Sequence, residues 1–143
     1  MSPSEPLVDV QASAPLRVAG PARRTLLRFG VVERLVLAQS LLPRDLHLVV
    51  VDGHRPGDGH GSGGAADLTV FRADDDVPAA LPCCRCDPAP PLEERVRLLL
   101  TEALSAAGLV NDVARWWHWS YGDSSWAAAT GAANARYEAV ARL

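Results

Sequence analysis

An α+β domain, with a mostly antiparallel central sheet and helices packed on one side of it, is what this sequence predicts, and three observations carry the expectation. Two short apolar runs, 46–52 and 65–71, flank a polar, glycine-rich loop, as strands flank a connection. Two longer segments, 30–42 and 92–107, repeat their apolar residues at helical spacing. A stretch at 109–121, dense in tryptophan, reads as a strand pair. With 143 residues and 48% hydrophobic content the chain is long enough to bury a core of its own, so 1–143 is read as a single domain.

Residues 1–6 are expected to be disordered, and 7–18 alternate apolar and polar residues around Pro15 as an edge strand or extended arm would. In 30–42 the residues Val31, Leu35, Ala38 and Leu42 fall on one helical face, and Pro43 stops the helix. Residues 48–51 are too few and too β-branched for a helix and lead into the turn Asp52-Gly53, which makes 46–52 a buried strand; 65–71 is the second. Residues 74–91 are rich in Asp, Pro and Ala and form a functional or poorly ordered loop that contains all three cysteines. Cys83, Cys84 and Cys86 match no usual zinc spacing, and their odd number argues against a closed disulfide framework, so free thiols are expected. Pro91 opens the next helix, with Glu93 and Glu94 in its first turn, apolar Leu92, Val96, Leu99, Leu100, Ala103 and Ala107, and Gly108 just past its end. Residues 109–114 and 116–121 read as strands joined around Asn111-Asp112 or bulged near Arg115. Residues 126–130 read as a last strand, and 132–143 as a terminal helix with Tyr137 and Val140 turned inward.

Charge and hydropathy exclude several classes of function. A net charge of -3 provides no basic field for nucleic acid, and the four Trp cluster late in the chain instead of interleaving with arginines. No run reaches the roughly 20 apolar residues that span a bilayer, and the first ten residues lack the basic-then-apolar pattern of a secretory signal. A cytoplasmic protein with a small-molecule or dipeptide substrate, and neither nucleic acid nor membrane as partner, is the expectation.

The chemistry-bearing residues converge on a metal site. His60 and Asp67 stand seven positions apart with three glycines and no bulky residue between them, so the backbone can bring an imidazole and a carboxylate to one point. His118 lies in RWWHWSY, 115–121. Two imidazoles and one carboxylate leave a position open on a tetrahedral ion, the arrangement of catalytic zinc, and the same trio also holds non-haem iron. Trp116, Trp117, Trp119 and Trp126 suit core and pocket wall better than a stacking platform, and His54 is expected only to pack.

Three motifs resemble those of the zinc D-alanyl-D-alanine dipeptidases of vancomycin resistance and the wider peptidoglycan-trimming D,D-carboxypeptidases. VDGHRP at 51–56 is similar to that family's Asp-Gly-Tyr-Arg-Pro turn, HGSGGAAD at 60–67 fits its H-x-x-G-x-A-x-D, and RWWH at 115–118 resembles its Glu-x-Trp-His. The likeness runs loosely from about residue 7 to 137 and implies the fold shared with the Hedgehog signalling domain. It implies that zinc is bound by His60, Asp67 and His118 and that Arg55 steadies the oxyanion of a tetrahedral intermediate; Asp58, Trp116 and Trp117 are candidates for binding the substrate. The family's general base is the Glu of the last motif, whose position holds Arg115, and a guanidinium cannot accept a proton. Beside the site Arg115 could instead bind an anionic substrate group. Only 57–59 separate the first two motifs, where the family inserts a longer wall, and its aromatic-Asp motif after the second is replaced by Asp74-Asp75-Asp76, one of which could reach the metal and serve as base. Two functions follow: a divergent dipeptidase-like zinc hydrolase, or a metal domain that does other small-molecule chemistry (lyase, cyclase or iron-dependent) or none. Strict alternation sets Arg115 and His118 on opposite faces of their strand, whereas the family's pair converges through a twist or bulge.

Overall fold

Alternation along three central strands decides which side of the sheet becomes core and which carries chemistry. A computed structural model describes residues 5–18, 25–54, 60–72, 92–112, 114–137 and 140. In these residues lie strands β1 (Leu7–Asp9), β2 (Arg17–Val18), β3 (Leu26–Arg28), β4 (Leu46–Asp52), β5 (Ala65–Arg72), β6 (Val110–Asp112) and β7 (Arg115–Ser120), with helices α1 (Val10–Ser13), α2 (Phe29–Leu41), α3 (Glu94–Ala106) and α4 (Ser124–Thr130). The fold is α+β. The main sheet has the order β2-β4-β5-β7-β6, and β1 and β3 form a separate antiparallel pair. Only β2 against β4 is parallel; β4-β5, β5-β7 and β6-β7 are antiparallel.

On β4, Leu46, Leu48 and Val50 point into the core, as do Ala66, Leu68 and Val70 of β5 and Trp119 of β7. Val31, Val32, Leu35 and Ala38 of α2 and Val96, Leu100, Ala103 and Leu104 of α3 join the same cluster, so these two helices cover that side of the sheet. Full burial of a Leu or Val contributes roughly 1.5–3 kcal/mol against leaving it in water, so this layer supplies most of the drive to fold. Gln39 of α2 fastens helix to sheet, its side chain donating to the Leu46 carbonyl and accepting from the Leu48 amide. Pro43 follows the helix end as expected, and Gly108, at φ +97, follows α3. No helix among the described residues is long and apolar enough to cross a membrane.

Three local expectations are corrected. Residues 7–18 are not one extended arm: the Asp9 carboxylate accepts the amides of Gln11 and Ala12 and nucleates the turn α1 between β1 and β2. Residues 126–130 are not a strand but belong to α4, because Asp123 caps the Trp126 amide at 2.9 Å and an alanine run follows, ended by Gly131 at φ +75. Residues 132–137 do not begin a terminal helix. The amides of Arg136 and Tyr137 both donate to the Gly122 carbonyl, which holds the chain back against the end of β7. Tyr137 is buried as expected, and Val140 is half-buried. The cysteines, Asp74 to Asp76, Arg55 and Asp58 lie outside the described residues.

Candidate metal centre

Asp67 is the third residue of β5, and because Ala66 and Leu68 face the core, alternation sends its carboxylate to the other side. It stands opposite His118 of β7 and Asp52 of β4, and residues directly opposite in an antiparallel pair share a face. His60 comes from the turn just before β5. His118 Nδ1 and His60 Nε2 each lie 3.3 Å from the same Asp67 oxygen, and their rings meet edge-on with centroids 5.0 Å apart. All three residues are buried, and one donor atom from each lies within 4.8 Å of the others. Donor atoms of a tetrahedral ion with 2.0–2.1 Å bonds stand roughly 3.3 Å apart, so the triad fits a metal ion.

His60 Nδ1 is 2.8 Å from the Gly53 carbonyl, an acceptor, so this nitrogen carries a proton and the ring is held with Nε2 toward the Asp67 carboxylate, the orientation that a carbonyl behind the ring gives a metal-ligating histidine. Gly53 is itself built in: a Cβ there would come within 2.5 Å of the Leu26 carbonyl of β3.

The loop carrying His60 is fastened at every carbonyl from 60 to 64. In order these accept from the Gly63 amide, the Val140 amide, the Arg28 Nε, the Arg28 amide and the Tyr121 amide, at 2.7–3.1 Å. Gly63 takes φ +74, with no room for a Cβ against Leu7, which explains why the turn needs glycine there. His54 does more than pack: its Nε2 sits 2.6 Å from the Val140 carbonyl, so residue 140 bridges the first motif and the loop. Arg28 escaped the sequence reading altogether. Its one signal was a charge in the apolar run Leu26, Leu27, Phe29; in the fold it is buried, and its guanidinium also donates to the Glu5 carbonyl.

His118 opens onto a cavity of about 550 Å³ between β6, β7 and α4, bordered by Asn111, Asp112, Ser120, Ser125 and Ala128 among others. β6 and β7 are out of simple register here. Asn111 faces Trp119 but Asp112 faces Arg115, so β7 carries three more residues than its partner across that step. The Asn111 amide fills the bulge, donating to the carbonyls of Arg115 and His118 at 3.0 and 2.9 Å and, at 3.3 Å, to that of Trp116. The bulge expected at the start of this strand is therefore present. It leaves Arg115 exposed and outside the described lining of the cavity, while Asp112, expected only as part of a turn, borders it. Trp116 and Trp117 meet edge-on at 5.6 Å and do not border the cavity either. Trp117 is buried, with no partner for its indole N–H among the described residues.

No protein-family model matches this sequence, and no curated protein matches it.

Proposed function

We propose that the protein is a zinc-dependent hydrolase of small peptides, of the D-alanyl-D-alanine dipeptidase type. The observation that carries this reading is the buried His60, Asp67 and His118 triad beside a cavity that also presents a carboxylate, Asp112. A volume of about 550 Å³ is within the range of small-ligand sites, and the small side chains of Val110, Ala128 and Ala129 suit a substrate with methyl side chains. Zinc in such a site supplies a Lewis acid that polarises a peptide carbonyl. Asp112 stands in for the family's missing base. The Ala114 amide holds one of its oxygens at 3.0 Å, and the carboxylate takes a proton from the attacking water and returns it to the departing amine. Arg55 keeps the role of oxyanion stabiliser that the motif resemblance gives it. Arg115, exposed and away from the cavity lining, has no part in the reaction.

The test is to load the purified protein with zinc, measure bound metal, and follow release of alanine from D-alanyl-D-alanine. About one ion per chain is expected, lost in His60→Ala or His118→Ala. Asp112→Asn should keep the ion but lower hydrolysis by about 10²-fold or more. Unchanged hydrolysis in that variant would remove Asp112 from the mechanism. A wild type that binds the ion and hydrolyses nothing would instead favour the second reading, a non-hydrolytic metal domain.

A further inference from the structure

Tyr121 lies just past β7, its ring turned to the helix-covered side of the sheet, while its neighbour Ser120 borders the cavity on the other side. Its phenol is the meeting point of two cations. Arg34 of α2 donates from Nη2 at 3.2 Å and Arg136, beyond α4, donates from Nη1 at 2.9 Å, both to the Tyr121 hydroxyl oxygen. The same guanidiniums lie over its ring, with centroid distances of 4.9 and 5.5 Å. Stacking accounts for the faces of the two guanidiniums, and among the described residues most of their edge N–H groups have no acceptor. The phenol oxygen accepts from both arginines, and its own proton remains a donor. Neither arginine pairs with a carboxylate among the described residues; the Arg–carboxylate pair found there is Arg72 with Glu93.

Two guanidiniums of full positive charge, from separate parts of the chain, thus converge on one phenol with no carboxylate paired to them among the described residues. Tyr121 is buried, Arg34 half-buried and Arg136 exposed, so the cluster has a rigid base and an open side. We propose that Arg34, Tyr121 and Arg136 form a binding site for a dianionic phosphate group, separate from the metal centre. The two guanidinium edges and the phenolic O–H match three oxygens of a tetrahedral oxyanion, and a double charge answers two arginines better than a carboxylate does.

The probe is inorganic phosphate, titrated into the metal-loaded full chain by calorimetry, with acetate and chloride as comparison anions. Saturable binding of one phosphate per chain is expected, with acetate about tenfold weaker or more. Arg34→Gln and Arg136→Gln should each weaken phosphate by about tenfold or more while the circular-dichroism melting curve is kept. Tyr121→Phe, which retains the stacking ring and removes the hydroxyl, should weaken it as well. His60→Ala should bind phosphate as the wild type does, which separates this site from phosphate held at the metal. Absence of saturable binding, equal affinity for acetate, loss in His60→Ala, or wild-type affinity in the Arg34→Gln/Arg136→Gln double variant would each overturn the proposal.

Discussion

Position 115 shows how far a single residue can mislead when it is read from a motif alone. The spacing to His118 invites a catalytic role, but the bulge in β7 leaves the guanidinium exposed and away from the cavity lining. Placing a carboxylate there is therefore expected to do little. Arg115→Glu should leave metal content unchanged and hydrolysis within about twofold of wild type, the scale of an ordinary surface substitution. A large gain in hydrolysis would mean that residue 115 reaches the reacting atoms and that Asp112 is not the base. Asp67, His60 and His118 were legible because simple rules place them. Period-two alternation sends Asp67 and His118 to one face, and a glycine-rich turn returns His60 to it. Asp112 was not legible, because its place at the cavity depends on three extra residues in the partner strand that no local pattern announces.

At the scale of elements, β4 and α3 were readable from periodicity, and α2 from its apolar face and the proline that follows it. α4 was misread because Trp126 and Thr130 suit a strand as well as a helix, so the choice fell to the Asp123 cap and the alanines between them. The hairpin β6-β7 depends on one side chain more than on its turn. Asn111 is the group that satisfies the carbonyls of the bulge, so Asn111→Ala should destabilise the protein by about 1–3 kcal/mol, the usual penalty for stranding partly buried acceptors. Denaturant unfolding measures this directly. If the bulge positions His118, the same variant should also weaken zinc in a competition titration with a chromogenic chelator, whereas Asn111→Asp, which keeps the size but brings oxygen against oxygen, should do no better. A variant as stable as wild type would show that water replaces the amide at no cost.

For the molecule as a whole, all 14 basic residues other than histidine are arginine, so between the histidine range and strong alkali only cysteines, the two tyrosines and the terminal amine titrate. Burial, and next to it the Glu5 carboxylate, push the Tyr137 phenol well above its ordinary value, against a smaller opposing effect of Arg136. Glu5 is near enough to act on the phenol, although the hydroxyl is not in hydrogen-bonding geometry with any group among the described residues. The folded state therefore favours the protonated form. That stability is complete below the unfolded value of about 10 and falls as pH rises from there toward the folded value, because the unfolded chain releases the proton first. Urea unfolding between pH 8 and 11 should show this decline, and Tyr137→Phe, which keeps the ring beneath Gly122, should flatten it. An alkaline limb of equal steepness in the variant would assign the effect elsewhere.

The bonds that fasten residues 60–64 join protein groups to one another, so the loop holds its shape without help from an ion. Were the triad to take up a metal, uptake would be an encounter and not a folding event, with a rate proportional to free ion and no slow phase for assembling ligands. Exchange of one divalent ion for another would proceed at the pace of dissociation, and the occupant would be chosen by supply and by the preference of two imidazoles and a carboxylate among the available metals.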